Sequence, residues 1–381
     1  MRKIKGLVAA TLSLTLMFQS AVMGATIKDM TVGNKMMNMN KLKLAWADEF
    51  NGTELNNKYW TPEYGNGYDG WGNKELQIYT DTKDNLEVKD GILSIKARYE
   101  ENKEGNKILT SARIKTQDKV LVGDGYVEAR IKLPSKEAIW PAFWMLGNKI
   151  SKVGWPKCGE IDIMESWNVN NFTQYTLHYA DYKGYDNYMR NGQVTLGLDG
   201  KQTDKTQWHT YGVYRNGTNV AFYYDGQLQK NFDTDYDVMA ELNTKDYFIL
   251  LNVACGGNLT ENKIPKEEDL PCQMDVDYVR YYTDIVTVPG KTKVKKVKNL
   301  KGKKAKVTLK KVKNAKGYKV VYSTKKNFKK AKTVYSKKNV CTLKKLKKGK
   351  KYYVKAASYT VNNKVKYFSK FSGKKSVKIK K

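Results

Sequence analysis

The sequence predicts an all-β chain, one large antiparallel sandwich followed by a small one. From Lys41 to Thr283, apolar and aromatic residues come in short alternating runs closed by Gly, Asn or Asp, the pattern of half-buried strands and tight turns. No stretch in that span keeps a long helical period, and a single turn of helix is expected at Pro265–Leu270. After residue 293 the alternation resumes with lysine at the alternate positions, as on the solvent face of a sheet.

The chain opens on a leader. Arg2, Lys3 and Lys5 precede an apolar run from Leu7 to Phe18, and Gly24 and Ala25 offer a small-residue cleavage site. Residues 1–25 therefore read as a secretory signal, and the protein as secreted or attached to the cell wall. The apolar run is shorter than the roughly 20 residues a membrane-spanning helix needs. Residues 26–40, rich in Met and Asn, read as a linker to a domain over 41–284. Strands are expected at Leu86–Val88, Ile92–Ala97, Gly125–Leu133 and Val220–Tyr224, with hairpin turns at Asp90-Gly91 and Asp225-Gly226.

The chemistry concentrates in Gly159–Trp167, where Glu160, Asp162 and Glu165 place three carboxylates within six residues. Strand alternation puts Glu160 and Asp162 on one face and would put Glu165 on the other. A one-residue bulge at Ile163-Met164 would return Glu165 to the first face. Three acids on one sheet face repel one another, which makes sense on the floor of a cleft. Retaining glycoside hydrolysis needs such a carboxylate pair, one as nucleophile and one as acid/base, with carboxyl groups roughly 5–5.5 Å apart. Asp162 between them would help keep one glutamate protonated by like-charge interaction. On spacing alone an exposed acidic strand or a Ca²⁺ cluster also fits.

The stretch resembles the active-site signature of glycoside hydrolase family 16. The longer runs Trp140–Gly147 and Gly154–Glu165 resemble the bacterial laminarinases of that family, and the additional Met164 resembles its bulged branch. The resemblance covers Leu42 to Tyr282 and implies a concanavalin A-like β-jelly roll whose concave sheet forms the cleft. It implies a bacterial, endo-acting retaining β-glucanase, with β-1,3 or mixed β-1,3/1,4 linkage left open. Glu160 would be the nucleophile, Asp162 its helper and Glu165 the acid/base. Sugars present flat apolar faces edged with hydroxyls, and by their match to the family Trp71, Trp140, Trp144 and Trp155 would be platforms. Asn66 and Arg113 would donate to sugar hydroxyls, and His178 would line the cleft and orient Asp162. His209 and Glu75 read as structural. Catalysis needs no cofactor. A structural Ca²⁺ remote from the cleft is implied, with Glu49, the Gly91 carbonyl and Asp277 as ligands. Jelly rolls of this kind also serve as glucan-binding or adhesion modules, but a binder has no need of both glutamates.

Charge divides the chain. Residues 291–381 hold 36 lysines and no Arg, Asp or Glu, whereas the whole chain is +32, so the first 290 residues are close to neutral. A linker at 285–293, around Pro289, is expected before a Lys-rich domain at 294–381. The order of its strand-like runs resembles a fibronectin type III module, departing from it at Lys310 and Lys311, where a core Trp often stands. A disordered polycation is the alternative. Such a surface binds anions, and outside the cell anionic wall polymers are the expected partners. Nucleic acid is not expected, because the cations are all Lys without Arg forks and the leader sends the chain out. The chain is expected to be a monomer. Of four cysteines, Cys255 and Cys272 are the nearest pair in the large domain, and their bonding is left open; with two histidines and no CxxC, zinc is not expected.

Overall fold

The computed structural model describes residues 36–180, 186–193, 201–217, 219–233, 242, 246–362 and 365–380. The leader and most of the expected 26–40 linker lie outside the described residues. The end of that linker belongs to the large domain instead: Met36 pairs with Gln227, and the Met37 N–H donates to the Gly226 carbonyl at 2.8 Å.

The large domain is two sheets packed face to face. The concave sheet has seven strands, in the order Asp186–Gln193, Thr173–Ala180, Glu160–Glu165, Ile139–Gly147, Tyr247–Cys255, Arg113–Lys115, Thr61–Pro62. The opposing sheet of ten strands runs from Gln227–Asp233 through Asn219–Tyr224, His209–Arg215, Gly125–Lys132 and Cys272–Asp284 to Ile92–Glu101 and beyond. Among the described residues, strand pairing is antiparallel except between Ile78–Tyr79 and Lys107–Ser111. The alternation read from the sequence is what packs them: Leu93, Ile95 and Ala97 point inward from one sheet and are fully buried, as are Ile249, Leu251 and Val253 from the other.

Both predicted hairpin turns form. Asp90 and Gly91 (φ 52° and 78°), and Asp225 and Gly226 (φ 47° and 73°), are all left-handed, as a two-residue turn between twisted strands requires. The expected helical turn is the 3-10 stretch Glu267–Asp269, and a short helix, Ile150–Val153, lies before the acid strand. His209 is structural, its ring held by the Asp225 carboxylate at 2.8 Å and the Asp204 carbonyl at 3.0 Å. All four cysteines are free thiols.

The Lys-rich region is packed, not a disordered polycation. Val294–Leu300, Lys304–Leu309 and Val340–Leu343 form one sheet. Lys332–Ser336, Gly317–Ser323, Lys351–Asn362 and Val365–Phe368 form the other, with Lys375–Lys378 also on Lys351–Asn362. Val307, Val320, Leu343 and Val354 fill the space between them at zero exposure. Thr292 Oγ1 donates to the Lys310 carbonyl and Ser358 Oγ to that of Gly290, so the second half of the expected 285–293 linker is part of this module.

Candidate active site

Alternation along Ile139–Gly147 sends Trp140, Ala142, Trp144 and Leu146 to the concave face and Phe143 and Met145 into the core. On the next strand Glu160 and Asp162 share that face, opposite Leu146 and Trp144. Then the register slips. Met164 stands opposite Phe143, next in line after Trp144, and on the other side Thr176 faces Asp162 while Gln174 faces Glu165. Ile163 and Met164, consecutive in sequence, both enter the core. This is the bulge expected from the spacing, and it turns Glu165 back to the cleft. All three carboxylates line one cleft of about 840 Å³.

The two glutamates stand in different surroundings. Glu165 is 8% exposed, accepts a hydrogen bond from the Trp140 indole at 3.2 Å, and has the Thr176 hydroxyl at 3.4 Å. Burial pushes its carboxyl up to about 7, against these hydrogen bonds, which favour the charged form. Burial, rather than repulsion from Asp162, is thus the leading cause of the raised value. Glu160 sits nearer solvent beside His178, whose Nε2 lies 3.9 Å from Glu160 Oε1 and 3.5 Å from Asp162 Oδ2. The half-exposed Trp155 ring lies 5.7 Å from the imidazole, placing Trp155 and His178 together at the cleft wall. Among the described residues, Glu160, Asp162 and His178 are close enough to share a cation, their ligand atoms lying within 4.8 Å of one another.

Arg113 organises the opposite side. Its guanidinium lies 4.4 Å from the Trp71 ring and 4.9 Å from that of Trp144, and its Nε is 2.6 Å from Glu63. It therefore sets the two indoles as well as lining the cleft. Trp71 itself is left-handed (φ 57°), in a tight loop closed by Gly70, where an added Cβ would fall 2.3 Å from the Glu75 nitrogen. Asn66 departs from expectation. Its amide donates to the Glu75 and Gln77 carbonyls at 2.9 and 2.8 Å, so it ties the Trp71 loop together rather than offering those hydrogens to sugar.

Two of the three expected Ca²⁺ ligands, Glu49 and Asp277, are held by arginines. Glu49 is held by two hydrogen bonds of 2.8 Å from Arg280, and Asp277 by Arg130 at 2.6 Å. A cation bound through these carboxylate oxygens would compete with two arginines.

Several cleft residues escaped the sequence reading. Asn252 accepts from the Trp144 indole at 2.8 Å and donates to Tyr79 Oη at 3.1 Å. Tyr79 and Gln77 in turn donate to Glu75 at 3.3 and 2.7 Å, which makes Glu75 a buried cleft carboxylate as well as a structural one. The only signal for Asn252 was one amide inside the apolar run Tyr247–Cys255. Gln174 and Thr176 alternate on the strand beside the acids, a polar face that the sequence offered unread.

Comparison with known proteins agrees with this geometry. A family model described as Beta-porphyranase A-D, GH16 domain, matches residues 41–284. The chain is 32% identical over 268 residues to glucan endo-1,3-beta-glucosidase A1 of Niallia circulans, covering 64% of this chain and 38% of that protein. It is 33% identical over 251 residues to the Beta-glucanase of Rhodothermus marinus, 63% of this chain and 85% of that one. The chain thus spans well under half of the Niallia protein and most of the Rhodothermus one. The solved laminarinase of Flavobacterium sp. UMI-01 superposes with a TM-score of 0.54 at 34% identity, covering 63% of this chain and all of that one. A jelly roll with its carboxylates on a bulged concave strand, matched by the family model across the whole large domain, places the chain in glycoside hydrolase family 16.

Proposed function

We propose that the protein is an endo-acting, retaining β-glucanase that hydrolyses internal β-1,3 linkages by double displacement. The observation that carries this reading is the bulge that brings Glu165 onto the face of Glu160 while leaving it buried and protonated near neutral pH. Glu165 protonates the departing glycosidic oxygen as Glu160 attacks the anomeric carbon, forming a glycosyl-enzyme ester. Glu165, now a carboxylate, takes a proton from water as it attacks that carbon, and Glu160 is released. Asp162, with His178 beside it, orients Glu160. Trp140 holds Glu165, and Trp71, Trp144 and Trp155 serve as platforms for glucose rings.

The activities for which the Niallia, Rhodothermus and Flavobacterium proteins are named support glucan as substrate. The porphyranase description of the family model supports a galactan alternative. Reducing-sugar release from laminarin, mixed-linkage glucan, agarose and porphyran, with linkage analysis of products, tests the reading. Faster cleavage of either galactan than of both glucans overturns it.

We read residues 1–25 as a secretory leader and the protein as secreted or wall-associated. The Lys-rich module is a fibronectin type III-like domain, supported by a three-stranded sheet packed against a five-stranded one, that attaches the enzyme to anionic wall polymers.

A further inference from the structure

We infer that the outer face of the larger C-terminal sheet is a binding surface for an acidic polysaccharide, its rings taking sugar faces and its lysines the anionic groups. The inference rests on the reading of this module as an anion-attachment domain and specifies the ligand.

In Gly317–Ser323 and Lys351–Asn362, alternate residues Tyr318, Val320, Tyr352 and Val354 fill the module's core. The remaining positions turn outward, and the register arranges them. Tyr335 stands opposite Lys319, Gly317 opposite Tyr359, and Tyr359 opposite Phe368. The rings of Tyr335, Tyr359 and Phe368 form a triangle with centroids 5.8–6.3 Å apart. Gly317 makes room for it, since a Cβ there would fall 2.4 Å from Tyr359 Oη. The glycine lets that ring lie across the neighbouring strand. Tyr335 and Phe368 remain 51% and 36% exposed.

Lysines are set into this triangle. Lys319 Nζ lies 4.9 Å from the Phe368 centroid, and Lys366 Nζ lies 5.6 and 6.0 Å from those of Tyr335 and Tyr359. A second group repeats the pattern: Lys355, opposite Val321 on the same sheet, has its Nζ 4.5 Å from Phe328 and 4.4 Å from Phe371. Cation–π contact steadies rings and ammonium groups against one another.

The chemistry of the occupant follows. A polyphosphate would satisfy the lysines and leave the rings in water. A neutral glucan would satisfy the rings and leave the cations unmatched. A chain of pyranoses bearing carboxylate or sulfate groups satisfies both, through C–H faces on the rings and ion pairs at their edges. No acidic residue among positions 291–381 repels it. The large domain already handles a polysaccharide, which favours a sugar polymer over single-stranded nucleic acid, the other polyanion with faces to stack.

The test is calorimetric titration of the full chain with polygalacturonate, linear polyphosphate and oligo(dT), at matched charge and near-physiological salt. Polygalacturonate is expected to bind at least roughly tenfold more tightly than polyphosphate, and Tyr335→Ala to remove that preference without changing the polyphosphate affinity. Tyr335→Phe should keep it. Tyr335 is exposed enough that the alanine variant should fold, which its melting curve checks; Lys366→Gln, expected to weaken polygalacturonate more than Lys298→Gln on the other sheet, gives an independent measure. Equal affinity for the two polyanions, untouched by Tyr335→Ala, overturns the inference while the attachment reading stands. Tighter binding of oligo(dT), lost in Tyr335→Ala, overturns it in favour of nucleic acid. Binding of neither polyanion overturns the attachment reading itself.

Discussion

The Trp140 indole N–H donates to Glu165 Oε1 at 3.2 Å from the neighbouring strand, holding the carboxylate that burial raises to about 7. A donor to the charged form should lower that value, so removing it should raise it further. Trp140→Phe, which keeps a ring and drops the N–H, is expected to move the alkaline limb of the kcat/KM profile on laminarin to higher pH. An unmoved limb would show that Trp140 does not tune Glu165.

The acid pair gives the most direct test. Glu160→Gln and Glu165→Gln are each expected to lower kcat on laminarin by roughly 10²–10⁴-fold or more while substrate binding persists. With an activated aryl β-glucoside, azide should rescue Glu160→Ala as the inverted glycosyl azide. Near-wild-type turnover in Glu160→Gln would remove Glu160 as the nucleophile.

Glu165 also links stability to pH. Its folded value of about 7 lies above the ordinary 4.5, so between these the folded state binds more protons than the unfolded one. Stability from this group is full below pH 4.5 and is lost as pH rises to about 7. The loss is at most about 3 kcal/mol at 1.36 kcal/mol per unit. Glu165→Gln should flatten the dependence, so its melting temperature relative to wild type rises from pH 4 to pH 8. A parallel pair of curves would mean that Glu165 titrates alike in both states.

The bulge makes a geometric prediction. Deleting Met164 leaves one residue, Ile163, between Asp162 and Glu165, so plain alternation keeps Glu165 on the cleft face with no bulge. Where circular dichroism shows a folded sandwich, activity on laminarin should stay well above that of Glu165→Gln. A folded deletion variant as inactive as Glu165→Gln would break the register argument.

What was legible in the sequence was periodic. The bulge could be read because three acids broke a two-residue alternation, and the hairpins because Asp-Gly pairs demand left-handed backbone. Partners distant in sequence could not be read. Glu49 matched a metal-ligand pattern, yet the residue that holds it, Arg280, is 231 positions away. Asn66 looked like a sugar donor because nothing local shows that its amide is spent on the carbonyls of Glu75 and Gln77. Lys205 went unnoticed in a polar stretch, although it is 1% exposed and donates to Ser166 Oγ and the Asn168 carbonyl, just past the acid strand.

Arg113 should act on binding more than on chemistry. It stacks between Trp71 and Trp144 and pairs with Glu63, which Lys115 also holds at 2.6 Å. Arg113→Gln removes both cation–π contacts and lets the indoles move, so KM for laminarin should rise roughly tenfold with a smaller change in kcat. A fall in kcat at constant KM would instead place Arg113 in contact with the transition state.

Removing the Lys-rich module should separate attachment from catalysis. All the cleft residues precede position 284, and the module closes its own core, so residues 1–290 should hydrolyse soluble laminarin as the full chain does. Only the full chain should sediment with purified bacterial walls. That attachment should weaken steeply with salt, as the screening length falls from roughly 10 Å at 0.1 M to about 3 Å at 1 M. Walls stripped of their anionic polymers should retain less of it. Equal sedimentation of both chains, or sedimentation indifferent to salt, would assign the lysines to something other than electrostatic attachment.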